Sequence, residues 1–177
     1  MKKLYMILPL ALILCFMVGC QDKAAMAELE EFKAQAAMEE ANKVLYERAE
    51  EAFLNGDTET IKEIFSPDYV AHPAGAPDVP LEQTIEEVKL NMIMFSNMAI
   101  RRTDLLAKGD KVIVMATLSA THTGDVEGFP ATGNEFEMKM MMILRIENGK
   151  IVESWPLNDY LSFYQQLGME LKPKEGE

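Results

Sequence analysis

The hydrophobic period of this chain switches after Asn97 from helical to alternating and stays so to Asn158, and that switch restricts the fold more than any other feature. Upstream of it, Val44, Leu45, Ala49, Ala52 and Phe53 recur at helical spacing and stop at Asn55-Gly56, a natural helix end. Asp57-Thr58 opens a short second helix with Ile61, Ile64 and Phe65, closed by Ser66-Pro67 because the residue before a proline disfavours helix. Tyr69 to His72 reads as a short extended piece and Pro73 to Pro80 as a loop. A third helix runs from Leu81 to Asn97, with Ile85, Val88, Leu90, Met92, Ile93 and Phe95 on a broad apolar face. Downstream, the alternation predicts strands over Met98 to Ala107, Lys111 to Thr123, Glu135 to Glu147 and Lys150 to Asn158. They are separated by turns at Lys108-Gly109-Asp110 and Asn148-Gly149 and by a longer loop from Gly124 to Gly133. A last helix from Tyr160 to Leu167 ends at Gly168. Helices followed by a meander of long strands predict an α+β domain whose curved antiparallel sheet wraps around the N-terminal helices, leaving a cavity between them. Side-chain parity along the strands then decides what faces the cavity.

The start of the chain is a different kind of segment. Lys2 and Lys3 form a short basic region, Leu4 to Val18 is almost wholly apolar, and Met17-Val18-Gly19-Cys20 sets a small residue before a thiol. This layout predicts a bacterial lipoprotein signal peptide over 1–19, cleaved so that the chain is anchored to a membrane by lipid on Cys20. Met17 stands where such a motif usually has Leu, so an ordinary cleaved signal and a retained anchor are the alternatives. Residues 20–40 read as the lipidated cysteine and a helical or flexible tether, 41–168 as the domain and 169–177 as a charged tail. Gln21, where an Asp would favour the inner membrane, points to the outer membrane of the cell envelope. Of the two cysteines, Cys15 falls in the leader, so neither a disulfide nor a cysteine metal site is available afterwards. The net charge of -12 at pH 7 argues against nucleic acid as a partner and leaves lipid as the means of attachment.

A set of short motifs runs in order through the domain: Pro67-Asp68-Tyr69-Val70-Ala71-His72, Asp104 to Val112, Thr121-His122-Thr123-Gly124, Gly128-Phe129-Pro130-Ala131-Thr132-Gly133, Arg145 to Trp155, and Asp159 before Gln165-Gln166-Leu167-Gly168. Their order and spacing resemble the SnoaL-like polyketide cyclases, also called SnoaL-like ester cyclases, over Ala41 to Gly168. The resemblance implies the cone-shaped nuclear transport factor 2-like fold, with a deep pocket, and homodimers paired through the sheet. It also implies chemistry without a metal or organic cofactor. In that family an ester-bearing polyketide closes a ring by intramolecular aldol condensation, with a pocket aspartate as the acid/base.

Asp159 matches that aspartate. By strand parity it shares a face with Glu153, Trp155 and Leu157, which predicts a carboxylate, an indole and an apolar side chain on one wall, unless Pro156 introduces a bulge. A carboxylate in an apolar pocket suits proton abstraction beside a carbonyl, because desolvation raises its basicity. Asp159 also stands where the last helix begins and reads as its N-cap. His122 follows the parity of Val112 to Ala120 and is expected to point inward, as a hydrogen-bond donor or proton shuttle or as a buried structural histidine. His72 matches the family's rim histidine. Tyr69, Phe129, Trp155 and Met140 are the expected substrate contacts. Trp155 and the methionines Met138, Met140, Met141 and Met142 also read as core. Two histidines fifty residues apart make a poor zinc site.

The residues together predict an envelope-anchored protein that binds a small hydrophobic carbonyl compound and acts on it by cofactor-free acid/base chemistry of aldol, cyclase or isomerase type. The alternatives are a non-catalytic ligand-binding lipoprotein and a protein-interaction module, since a fold does not determine a function.

Overall fold

The computed structural model describes residues 4–126, 128–170 and 172, with side chains described from Lys23 onward. The expected leader and Cys20 fall outside the residues with described side chains, and most of the tail lies outside the described residues. Among the described residues, no helix is long and apolar enough to cross a membrane. The elements are α1 (Leu4–Asn55), α2 (Thr58–Ile64), β1 (Phe65–Ala71), β2 (Val79–Pro80), α3 (Leu81–Met94), β3 (Phe95–Lys108), β4 (Lys111–His122), β5 (Glu135–Glu147), β6 (Lys150–Asn158) and α4 (Tyr160–Gln166). The chain divides into two compact units, Met1–Met38 and Glu39–Glu177. The second holds the whole sheet.

Local chemistry explains the element ends. The Asp57 carboxylate accepts the Thr60 N–H at 3.0 Å and the Thr60 hydroxyl at 2.7 Å, which caps α2 and holds that carboxyl below the usual carboxylate range. At Phe65 the backbone turns extended, so β1 starts four residues ahead of the expected Tyr69. Pro67 is tolerated because β1 pairs with β6 at Phe65 and then again at Val70, leaving an interval in which no ladder donor is needed. Helix α3 ends at Met94, three residues before the expected Asn97, which has a positive φ of 54° inside a register shift of β3. Gly124 receives the start of the loop after β4: its N–H and that of Thr123 each donate to the Met94 carbonyl at 3.0 Å, and a Cβ there would meet the Ile93 carbonyl oxygen at 1.8 Å.

The six-stranded sheet has the order β2-β1-β6-β5-β4-β3. Strands β3 to β6 form the expected antiparallel meander, but β1 lies parallel to β6, so the sheet is not antiparallel throughout. The inner face of the sheet supplies Val112, Val114, Ala116, Leu144, Ile146 and Ile151 to a core that Tyr46 and Ala49 of α1 complete. A second cluster, Ala120, Phe136, Met138, Phe163 and Leu167, seats α4 against β4 and β5.

The ladder between β5 and β6 contains an irregularity that governs the site. Ile146 pairs with Ile151, yet Arg145 pairs with Glu153, so Val152 is an extra residue on β6. Ile151 is buried, and beyond the bulge the buried position is Ser154.

Candidate functional site

Between the helices and the concave side of the sheet lies a cavity of about 1020 Å³. Helix α1 presents Tyr46, Ala49, Glu50 and Phe53 to it, which are neighbours on one face at spacings of three and four. Strand β5 supplies Phe136, Met138, Met140, Met142 and Leu144 by strict alternation, and β6 supplies Ser154, Pro156 and Asn158. Tyr69 of β1, Val88 and Asn91 of α3, Phe129 of the loop after β4 and Tyr160, Phe163 and Tyr164 of α4 close the remaining sides. The lining includes many aromatic and thioether side chains, soft surface that adapts to a bulky apolar ligand.

Glu153, Trp155 and Leu157 share one face of β6 as expected, but the bulge at Val152 turns that face away from the cavity. Glu153 and Trp155 therefore do not line it, nor does Asp159, beyond the strand end. Leu157 borders it while 56% exposed. Trp155 stacks on His72 with ring centroids 5.4 Å apart. Asp159 is exposed, and its carboxylate accepts the Ser162 N–H at 3.0 Å as the N-cap of α4. Its sequence neighbours Asn158 and Tyr160 both line the cavity. His72 is not a lining residue; its Nδ1 pairs with the Asp78 carboxylate at 2.9 Å.

His122 keeps the predicted inward parity and is fully buried, but it is not in the cavity wall. Phe129 covers it, ring on ring at 4.5 Å. Its Nδ1 accepts the Thr132 N–H at 3.3 Å, which ties the loop after β4 to the strand, and its Nε2 is buried without a partner. Tyr69, Phe129 and Met140 do line the cavity. The structure thus gathers three of the expected substrate contacts and leaves all three acid/base candidates outside the wall.

Ser154, Tyr46, Glu50 and Asn158 are polar lining residues that were not singled out from sequence. The hydroxyls of Tyr69 and Ser154 share a buried hydrogen bond at 2.6 Å across β1 and β6. Burial pushes the Tyr69 phenol up against the smaller opposing pull of that bond, so it remains protonated at neutral pH. On α1 the Tyr46 hydroxyl donates to the Glu50 carboxylate at 2.9 Å, and burial, then the charge of Glu50, push Tyr46 up as well. Asn158 donates to the Tyr160 hydroxyl at 3.0 Å and keeps a buried side-chain oxygen without a partner. The i, i+4 spacing of Tyr46 and Glu50 on the apolar face of α1 was a readable signal, whereas Ser154 depended on a bulge that no local pattern announces. Among the described residues, no three His, Cys, Asp or Glu side chains are grouped so as to hold a metal ion.

A mostly antiparallel curved sheet folded around helices, with a deep apolar cavity at its centre, is the nuclear transport factor 2-like cone. Within that class the chain belongs to the SnoaL-like polyketide cyclase family, whose model matches residues 43–167. It is 30% identical over 138 residues to aklanonic acid methyl ester cyclase DnrD of Streptomyces peucetius, covering 75% of this chain and 94% of that protein. Wild-type IdmH from Streptomyces antibioticus is similar in structure, with a TM-score of 0.64 at 30% identity, over 72% of this chain and 99% of the other. A SnoaL-like protein from Jannaschia shares the fold with a TM-score of 0.68 at 18% identity, over 75% of this chain and 95% of its own.

Proposed function

We propose that the protein takes a small hydrophobic carbonyl compound into this cavity and catalyses proton transfer beside the carbonyl without a cofactor, as an aldol, cyclase or isomerase step requires. One observation carries the reading: an apolar cavity of about 1020 Å³ whose wall holds the buried Tyr69–Ser154 hydroxyl pair. Such a pair is a hydrogen-bond donor in a dry setting, placed to stabilise the oxyanion that forms when a proton leaves the adjacent carbon. The similarity to aklanonic acid methyl ester cyclase DnrD, named for an ester substrate, supports the carbonyl class. The reaction class is tested by incubating the full-length chain with 2-tetralone in D₂O and following loss of the α-proton signal by NMR. Exchange above the buffer rate is expected, and exchange at the buffer rate counts against catalysis.

The second reading is a non-catalytic carrier, favoured by the placement of Asp159, His72 and His122 off the cavity wall. Native mass spectrometry separates the two when combined with the exchange experiment, because a carrier retains ligand and exchanges nothing.

The chain works at the cell envelope, attached through lipid on Cys20, a reading supported by the sequence from Lys2 to Cys20. Metabolic labelling with a palmitate analogue checks it, and Cys20→Ala should abolish the label. Pairing into a homodimer through the sheet is supported by two apolar rows on its outer face. Met115, Met141 and Leu157 are cross-strand neighbours, as are Leu106, Ile113, Ile143 and Trp155. Leu106, Met115, Met141, Trp155 and Leu157 are exposed in the single chain. Light scattering after removal of the lipid should return twice the monomer mass.

A further inference from the structure

We infer that Glu50 is the carboxylate that exchanges protons with a ligand in the cavity, an inference that rests on the proposed function. Proton abstraction from carbon needs a base that meets the ligand away from bulk water. Among the described residues, the carboxylates that line the cavity belong to Glu50, Asp78 and Glu87. Glu87 is exposed, and Asp78 is 65% exposed and occupied by His72. The Glu50 side chain is only 12% exposed.

The surroundings of Glu50 fit the task. One carboxylate oxygen accepts the Tyr46 hydroxyl at 2.9 Å, which fixes the side chain along α1 beside the cavity. Its cationic neighbour, Arg102, is shared: the guanidinium bonds Glu47 at 2.6 Å and pairs with the other Glu50 oxygen at 3.4 Å. The carboxylate is therefore positioned by hydrogen bonding without being captured in a short ion pair. Glu50 also borders a second cleft, with Glu47, Glu51, Asn55 and Arg102. The residue thus stands between the cavity and a polar route to water.

The step balances without another reactant. The C–H bond next to the carbonyl breaks, the proton forms an O–H bond on Glu50, and the electron pair moves through the new C=C bond to the carbonyl oxygen. The second cleft lets that proton trade with solvent, and return of a solvent proton or deuteron to carbon restores the carboxylate.

The test uses the full-length chain, 2-tetralone in D₂O, and three variants. Glu50→Gln keeps an oxygen acceptor for the Tyr46 hydroxyl, and it should lose exchange by roughly 100-fold or more while saturation transfer from protein to 2-tetralone persists. Asp159→Asn should exchange close to the wild-type rate. Glu50→Asp, which withdraws the carboxylate by one methylene, should keep partial exchange. Wild-type exchange with an undiminished Glu50→Gln rate overturns the inference alone, as does loss in Asp159→Asn with retention in Glu50→Gln. Should Glu50→Gln fail to show native thermal unfolding, a Glu50→Asp rate equal to that of the wild type overturns it. Absence of exchange in the wild type overturns the proposed catalysis, and this assignment with it.

Discussion

The two faces of β6 belong to one nine-residue strand, yet they are different materials. The inner face carries Ile151, Ser154, Pro156 and Asn158, with the first two buried and the last three in the cavity wall. The outer face carries Glu153 and Trp155: Glu153 takes the Arg145 guanidinium at 2.5 Å, and Trp155 is 36% exposed against His72. The inner face acts through exclusion of water, and the outer face through charge and stacking that water can replace. Removing a buried group therefore costs both its contacts and the cavity or unpaired partner it leaves, whereas removing a surface charge costs little.

The largest effect is expected at Ile151, which is fully buried. Ile151→Ala should lower stability by about 2–5 kcal/mol in urea unfolding. A loss under about 1 kcal/mol would show that the inner face is not the tightly packed one and break the contrast. Ser154→Ala comes next, because it leaves the buried Tyr69 hydroxyl without its partner, at about 1–3 kcal/mol. The double variant with Tyr69→Phe should recover part of that loss, since removing both partners removes the unpaired group. At the end of the strand, Asp159→Ala should cost about 1 kcal/mol through loss of the α4 cap, and Asp159→Asn much less, since Asn caps comparably.

The outer face gives the smallest effect and the one that depends on pH. The hydrogen bond from Arg145, ahead of its charge, holds the Glu153 carboxyl below the usual carboxylate range. A carboxyl depressed in the folded state adds stability above its ordinary value, about 4.3 for Glu, and loses it as pH falls through the depressed folded value. The small melting-temperature gap between wild type and Glu153→Gln should thus be present at about pH 6 and shrink as the solution is acidified below the ordinary carboxylate range, and added salt should narrow it. A gap that widens on acidification would contradict the sign of this coupling.

The elements themselves were legible in the residues. Strands β5 and β6 occupy the expected 135–147 and 150–158, the alternation of β4 places Val112, Val114 and Ala116 inward as read, and Asp57 caps α2 where Asp57-Thr58 suggested. The ordered motifs led to the same family that the comparisons establish. Legibility failed where a non-local partner decides. The parallel pairing of β1 with β6 joins Phe65 to Ile151, a distance in sequence that no window of periodicity spans. The two-residue strand β2 exists only because Val70 and Ala71 lie beside it.

The site shows the same division within a few residues. Tyr69, Phe129 and Met140 reach the cavity as expected, while one extra residue at Val152 turned Trp155 outward and Ser154 inward. His122 had the right parity, but Phe129, seven residues on, folds over it from the following loop. Period, caps and turns are properties of neighbouring residues, so the sequence alone determined the order of elements, the family and the apolar character of the cavity. Register, crossover pairing and the final covering of each side chain depend on which distant strands meet. Only the tertiary structure decided that Ser154, and not Trp155, faces the cavity, because a bulge in a ladder can reverse parity without leaving a mark in the pattern it reverses.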